Sequence, residues 1–420
     1  MGVASSIRSF NDLAVPGLGG VWFGKQLFLA TLGVRIAQCA GEERKHLTNI
    51  ETANAVEALA CWLAFDSNDW TRDPRLRGST KMQGKTDLGF KALRQRSFYV
   101  TQPMRMATVQ ALPALGLVEA DSVRFNAFAC SQAGNNFLDA ACEGFLPFKR
   151  SVIAHLLQWA LSKEDSVTSP PLRAALSPTI PLPERARELL MERLIQGAHS
   201  ESTEAKQRRR AALDWVESLR SAPSPSFSWE TRPAQITSSQ HWEDLKAGAL
   251  FQSARDAAIA VLDALEAHIG NLGHGQRFSL LSRVPDAVTL RLVAFRRAAD
   301  IFLKARHTDK EANAFCGECS SEDHAKVLKQ LVERDERVLR LKGQEVVPGP
   351  AFRGVPLPKQ DNDENRDDDD SGIEAPRVKG SISWPQGLSP RIPNLFLLNA
   401  DLRGELDQWL DITSTRQDNE

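Results

Sequence analysis

The run DAVTLRLVAFRRAADIFLKAR, residues 286–306, decides the fold class. Val288, Leu292, Phe295, Ala299 and Phe302 recur at three- and four-residue steps, so they fall on one side of a helix. The same period returns upstream at Leu245, Leu250, Ala254, Ala258, Val261, Leu262 and Leu265. Nearer the start it returns at Leu47, Ile50, Val56, Leu59 and Leu63. Further helices are predicted over 21–39, 148–161, 184–196 (opened by Pro183), 202–219 and 322–338. The chain therefore reads as mainly α, a multi-segment helical protein.

Composition agrees with a globular protein. The 420 residues are 42% hydrophobic and 25% charged, enough apolar material for a sizeable core. Lys and Arg number 52 against 53 Asp and Glu, so any nucleic-acid binding needs a local basic patch. Such stretches lie at Arg72–Lys85, at Lys206, Arg208, Arg209 and Arg210, and at Arg291, Arg296, Arg297, Lys304 and Arg306. The last two read as solvated helix faces, diluted by Glu204, Asp214 and Asp300. Six scattered cysteines suit a reducing compartment, and a cytoplasmic location is expected. No uninterrupted apolar run reaches the ~18 residues of a membrane span, so no membrane partner is expected.

Prolines, glycines and charge runs divide the chain. A helical N-terminal domain is predicted over 1–161, within which 66–89 reads as a basic loop. A linker over 162–183, a helical pair over 184–220 and a second linker over 221–240 follow. A helical domain spans 241–345. Residues 346–390 turn proline-rich and then acidic, culminating in Asp361–Asp370, and are expected to be disordered. An apolar segment, 391–412, is expected to dock on its own fold or on a partner, leaving 413–420 as a disordered tail.

Three motifs carry partial chemistry. Gly19 to Lys25 has the spacing of a phosphate-binding loop, but Trp22 and Phe23 fill it. Gln26 stands where a magnesium-binding hydroxyl belongs, so a glycine-rich turn before an apolar helix is expected instead. Cys316 and Cys319 form a C-x-x-C pair, with His307 and His324 as further zinc ligands. No second pair completes a common finger. His268 and His274 flank a glycine-rich break that reads as a helix C-terminus, with Gly270 or Gly273 as the left-handed cap.

Residues 90–142 carry the one arrangement with a mechanism. Pro103 opens a helix that ends in Ala114-Leu115-Gly116-Leu117-Val118, Asp121-Ser122 marks a hairpin tip, and Val123–Phe128 returns as a strand. Ser131-Gln132-Ala133-Gly134 then starts a helix. This α+β unit resembles a winged helix-turn-helix module, although Pro113 interrupts the helix and the hairpin is short. The resemblance implies major-groove contact by Gln102, Arg105, Thr108 and Gln110. It also implies phosphate contact by Arg94, Arg96 and the basic loop. No family is recognised over the whole chain.

Together these features predict a non-enzymatic component of an intracellular multi-protein assembly. It would meet duplex DNA or a protein through 90–142, and a second protein through 242–342 or the tail 392–410. No catalytic residue is assigned, and no cofactor beyond the zinc just considered. Two other readings stand beside it: an enzyme of unfamiliar type using His268, His274, His307 or His324, and a small zinc module around Cys316 and Cys319. The layout also resembles accessory proteins of bacterial defence operons, a likeness that no particular residue carries.

Overall fold

Two apolar cores organise the chain, and one long and one short helix contribute to both. The computed structural model describes residues 1–95, 97–221, 227–272, 276–318, 321–354, 382 and 384–410. Over these residues helix accounts for 58% and strand for 5%, so the fold is mainly α.

The first core is built around α2 (Gly24–Glu42) and α3 (Asn49–Asp66), with α1 (Ala4–Ala14) ahead of them. Both α2 and α3 are apolar nearly all round and buried to match. Gly33 lets the two touch, because a Cβ there would stand 2.4 Å from the Ala53 Cα. Side chains close both helix starts. Gln26 Oε1 accepts the Trp22 N–H at 2.8 Å, and Thr48 Oγ1 accepts the Glu51 N–H at 3.2 Å.

One-turn helices follow: α4 (Ser79–Met82), α5 (Phe90–Leu93), α6 (Arg105–Thr108) and α7 (Ala111–Ala114). The predicted basic loop 66–89 is in fact packed. Leu76, Met82 and Leu88 are buried, and Arg75 is held by Asp73 and Asp407. These anchors are six residues apart, a spacing that neither helix nor strand periodicity detects.

The winged-helix likeness is not supported. The helix expected from Pro103 to Leu115 is split into α6 and α7, since Pro113 has no N–H to offer the Val109 carbonyl. β1 (Val118–Ala120) pairs antiparallel with β2 (Phe128–Cys130), Glu119 opposite Ala129, and α8 (Gln132–Cys142) follows. The returning strand starts at Phe128 rather than Val123, because Phe125–Ala127 forms a 3-10 turn. Asn49 Nδ2 pins that turn, donating to the Phe125 carbonyl at 2.9 Å and the Phe128 carbonyl at 2.8 Å. The hairpin is thus fastened to the start of α3.

Next come α9 (Val152–Ala160), α10 (Pro170–Leu176), α11 (Glu184–Gln196) and α12 (Thr203–Arg220). The predicted linker 162–183 holds α10, whose Leu172, Ala175 and Leu176 are buried; its prolines open a helix rather than break one. In the second predicted linker, Ile236 is buried, and Phe227 and Trp229 pack with Trp215 and Trp242.

The second core grows from α13 (Ser239–Gly270), a helix of 32 residues and so about 48 Å long. Trp242 and Leu245 belong to the first core, while Phe251, Ala258, Val261 and Leu265 belong to the second. Along it lies α14 (Asp286–Lys304), which buries the five residues that the spacing selects. Phe10 of α1 packs on Phe251 and Phe302, tying that helix in as well. α15 (Lys310–Glu318), α16 (His324–Asp335) and a small antiparallel sheet close the core. The sheet joins β3 (Phe278–Ser279), β4 (Leu339–Lys342) and β5 (Glu345–Pro348) in the order β3-β5-β4. Residues 346–348, predicted as linker, are therefore strand; the acidic run 361–370 lies outside the described residues.

The apolar segment after the acidic run returns to the first core as α17 (Arg391–Leu402) and α18 (Leu406–Trp409). α17 is buried along nearly its whole length and packs on α12, α11 and α2. It docks on the chain's own fold. The predicted tail 413–420 lies outside the described residues.

Candidate functional site

The residues named for DNA contact do not share an open face. Thr108 is fully buried, with its Oγ1 donating to the Arg105 carbonyl at 2.8 Å. Arg105 Nε donates to Asn54 Oδ1, and the guanidinium lies over the Phe125 ring. Gln110 Oε1 accepts from Arg391. Gln102 is half-buried, and Arg94 faces Glu51 at 3.8 Å. Arg96 lies outside the described residues.

A carboxylate that the sequence reading passed over explains this arrangement. Glu57 is buried in the middle of α3, where its oxygens accept the Met104 N–H at 2.6 Å, the Arg105 N–H at 3.0 Å and the Tyr99 hydroxyl at 2.8 Å. Burial raises its pKa, against the pull of those hydrogen bonds. Glu57 caps α6 from inside the core, so this segment faces inward. Its signal in the sequence is a lone acid between Val56 and Leu59 on an apolar helix.

The phosphate-loop spacing also leads inward. Lys25 is buried, and its Nζ donates to the Ala175 carbonyl; burial lowers its pKa to about 8. The Gly24 N–H, which a phosphate would need, donates to Asp401 Oδ2 at 2.7 Å. Burial pushes that carboxyl up to about 6. This joint fastens α2 to α17.

The second basic stretch is internal in part, which corrects its reading as a solvated face. Arg208 pairs with buried Asp244 at 2.7 Å, and Arg209 is fully buried with Glu201 as its partner. Lys206 is half-buried, and Arg210 is exposed near Asp214 at 3.9 Å.

Of the proposed zinc ligands and histidines, the structure describes Cys316, His307, His324 and His268. Cys316 is a fully buried thiol in the second core, and Cys319 lies outside the described residues. His307 Nε2 stands 3.4 Å from Asp244 Oδ1, and its Nδ1 accepts the Asp309 N–H at 3.2 Å. His324 is the first residue of α16. Among the described residues no three His, Cys, Asp or Glu side chains converge as a metal site. His268 sits in the last turn of α13 and lines a shallow cleft with Arg277, Arg283 and Asp286. Gly270 is not a left-handed cap: it lies within the helix, where a Cβ would collide with the Gly354 carbonyl at 1.8 Å. Gly273 and His274 lie outside the described residues.

One surface is unlike the rest. Leu272, Leu281, Leu290, Val293 and Ile301 are five of the ten large hydrophobics exposed among the described residues, and all fall within residues 272–301. Leu290 is 68% exposed, Val293 56% and Ile301 42%, on the side of α14 opposite its core face. Arg291, Arg297 and Lys304 are exposed on the same helix. Arg296 is engaged by Glu322 at 3.1 Å and Arg283 by Asp286 at 2.9 Å. α14 is therefore apolar on two sides, with a basic rim on the outer one.

No protein-family profile, curated protein or solved structure matches the chain. No described helix is long and apolar enough to cross a membrane.

Proposed function

We propose that the chain is a non-enzymatic, protein-bridging component of a multi-protein assembly, and that the outer side of α14 is its docking face. The observation that carries this reading is the exposure of Leu290, Val293 and Ile301 on one helix of a packed core. Large apolar side chains exposed together with a polar rim are a mark of a protein interface. Protein contact is favoured over DNA contact, since Arg105, Thr108 and Gln110 are spent on internal bonds. The free thiols Cys39, Cys61, Cys130 and Cys142 suit a cytoplasmic setting.

The test is co-purification of the full chain from its own host, comparing wild type with the double variant Leu290→Asp, Ile301→Asp. A stoichiometric companion, lost in a variant that melts at the wild-type temperature, supports the reading. Absence of any companion, or its retention by the double variant, rejects it.

A further inference from the structure

Resting on the docking role just proposed, we infer that the occupant of the α14 face is one acidic amphipathic helix of another protein, laid along α14. The outward positions Leu290, Ala294, Arg297, Ile301 and Lys304 follow one another at steps of four, three, four and three. All five are exposed. Alternating steps of four and three give the 3.5-residue row along which one helix can lie on another. The seam covers about 21 Å of helix, close to two heptads.

The chemistry along the seam selects the partner. Leu290, Ala294 and Ile301 ask for apolar side chains opposite them. Arg297 interrupts this row and Lys304 ends it, while Arg291 flanks it on one side and Asp300 on the other. Cations set among apolar groups are satisfied by carboxylates that enter the same interface, and like charges there are costly. A second copy of the chain fits poorly, because pairing the seam about its centre sets Arg297 against Arg297. A phosphate backbone offers nothing to Leu290 and Ile301. The chain's own acidic run, Asp361–Asp370, contains no apolar residue to meet them either. What remains is a helix with leucine-like residues on its seam and Asp or Glu beside them.

The decisive experiment uses the full chain and two labelled synthetic helices of about three heptads each. Both carry Leu at the seam, with Glu flanking it in one and Lys in the other, and binding is read by fluorescence anisotropy. The Glu helix is expected to bind at least about tenfold more tightly at low salt. The variant Arg297→Glu, Lys304→Glu is expected to reverse that preference while melting at the wild-type temperature. Equal binding of the two helices, or a preference unmoved by the charge reversal, overturns the inference. If Leu290→Asp, Ile301→Asp abolishes binding while charge reversal changes nothing, the docking role stands and the acidic partner falls. If neither variant matters, both fall. Two other results also overturn the acidic helix: co-sedimentation with phosphatidylserine vesicles lost on Leu290→Asp, and a concentration-dependent dimer lost on the same change.

Discussion

The two cores solve the same problem to different degrees. In the first, α2, α3 and α17 are enclosed on nearly every side, and the Gly24 N–H inside it is held by Asp401. In the second, α14 is covered on one side only, and the apolar residues on its other side meet solvent. The same kind of helix is thus structural in one core and half-available in the other. Amphipathic pattern alone does not reveal an interface; an apolar residue left over after the core has closed does.

Three measurements would break or sharpen this contrast, taken from the largest expected effect. Phe396 is fully buried between Trp384 and Trp409. Phe396→Ala is expected to cost about 3–5 kcal/mol in urea unfolding. A cost below about 1 kcal/mol would mean that α17 does not belong to the first core.

The second effect concerns pH. Folded Lys25 titrates near 8, below its ordinary 10.5, because burial disfavours the ammonium. Between those values the unfolded chain holds the proton and the folded chain does not, so raising pH favours folding. Relative to Lys25→Met, the wild type should gain up to about 1.4 kcal/mol per pH unit in that window. Parallel stability curves for the two proteins would show that Lys25 is not enclosed. The smallest effect is at the open seam: Leu290→Ser should leave stability within about 0.5 kcal/mol of wild type. A cost as large as that of a core substitution would mean that Leu290 is already covered.

Much of the architecture was legible in the sequence, and the failures are specific. Helical periodicity located α11 at its observed ends and picked the buried face of α14 residue for residue. The prolines of α10 misled because Pro at a helix start is favourable, whereas in a run of turn residues it looks like a break. The hairpin of β4 and β5 was missed although Leu339 and Leu341 alternate and Val346 stands opposite Leu341, since four-residue strands give a weak period. The candidate site was hidden for another reason. Arg291, Arg297 and Lys304 were visible as a basic stretch, but the exposure of Leu290, Val293 and Ile301 depends on what packs against α14, and that is set by residues far away. The residues chosen for DNA contact were drawn inward by Glu57, a group 48 positions before Arg105.

The return of α17 to the first core has a consequence for how the molecule is made. That core takes its walls from residues near the start and its last helices from residues 391–409, with most of the second core contributed by the chain between. Translation proceeds at roughly 5–20 residues per second, and domains ordinarily fold as they emerge. Here the second core can assemble while the first still lacks α17 and exposes the apolar faces of α2, α11 and α12. The later-encoded core can thus be complete before the earlier one, and a nascent chain stalled ahead of residue 391 is expected to bind chaperones more than the full chain does.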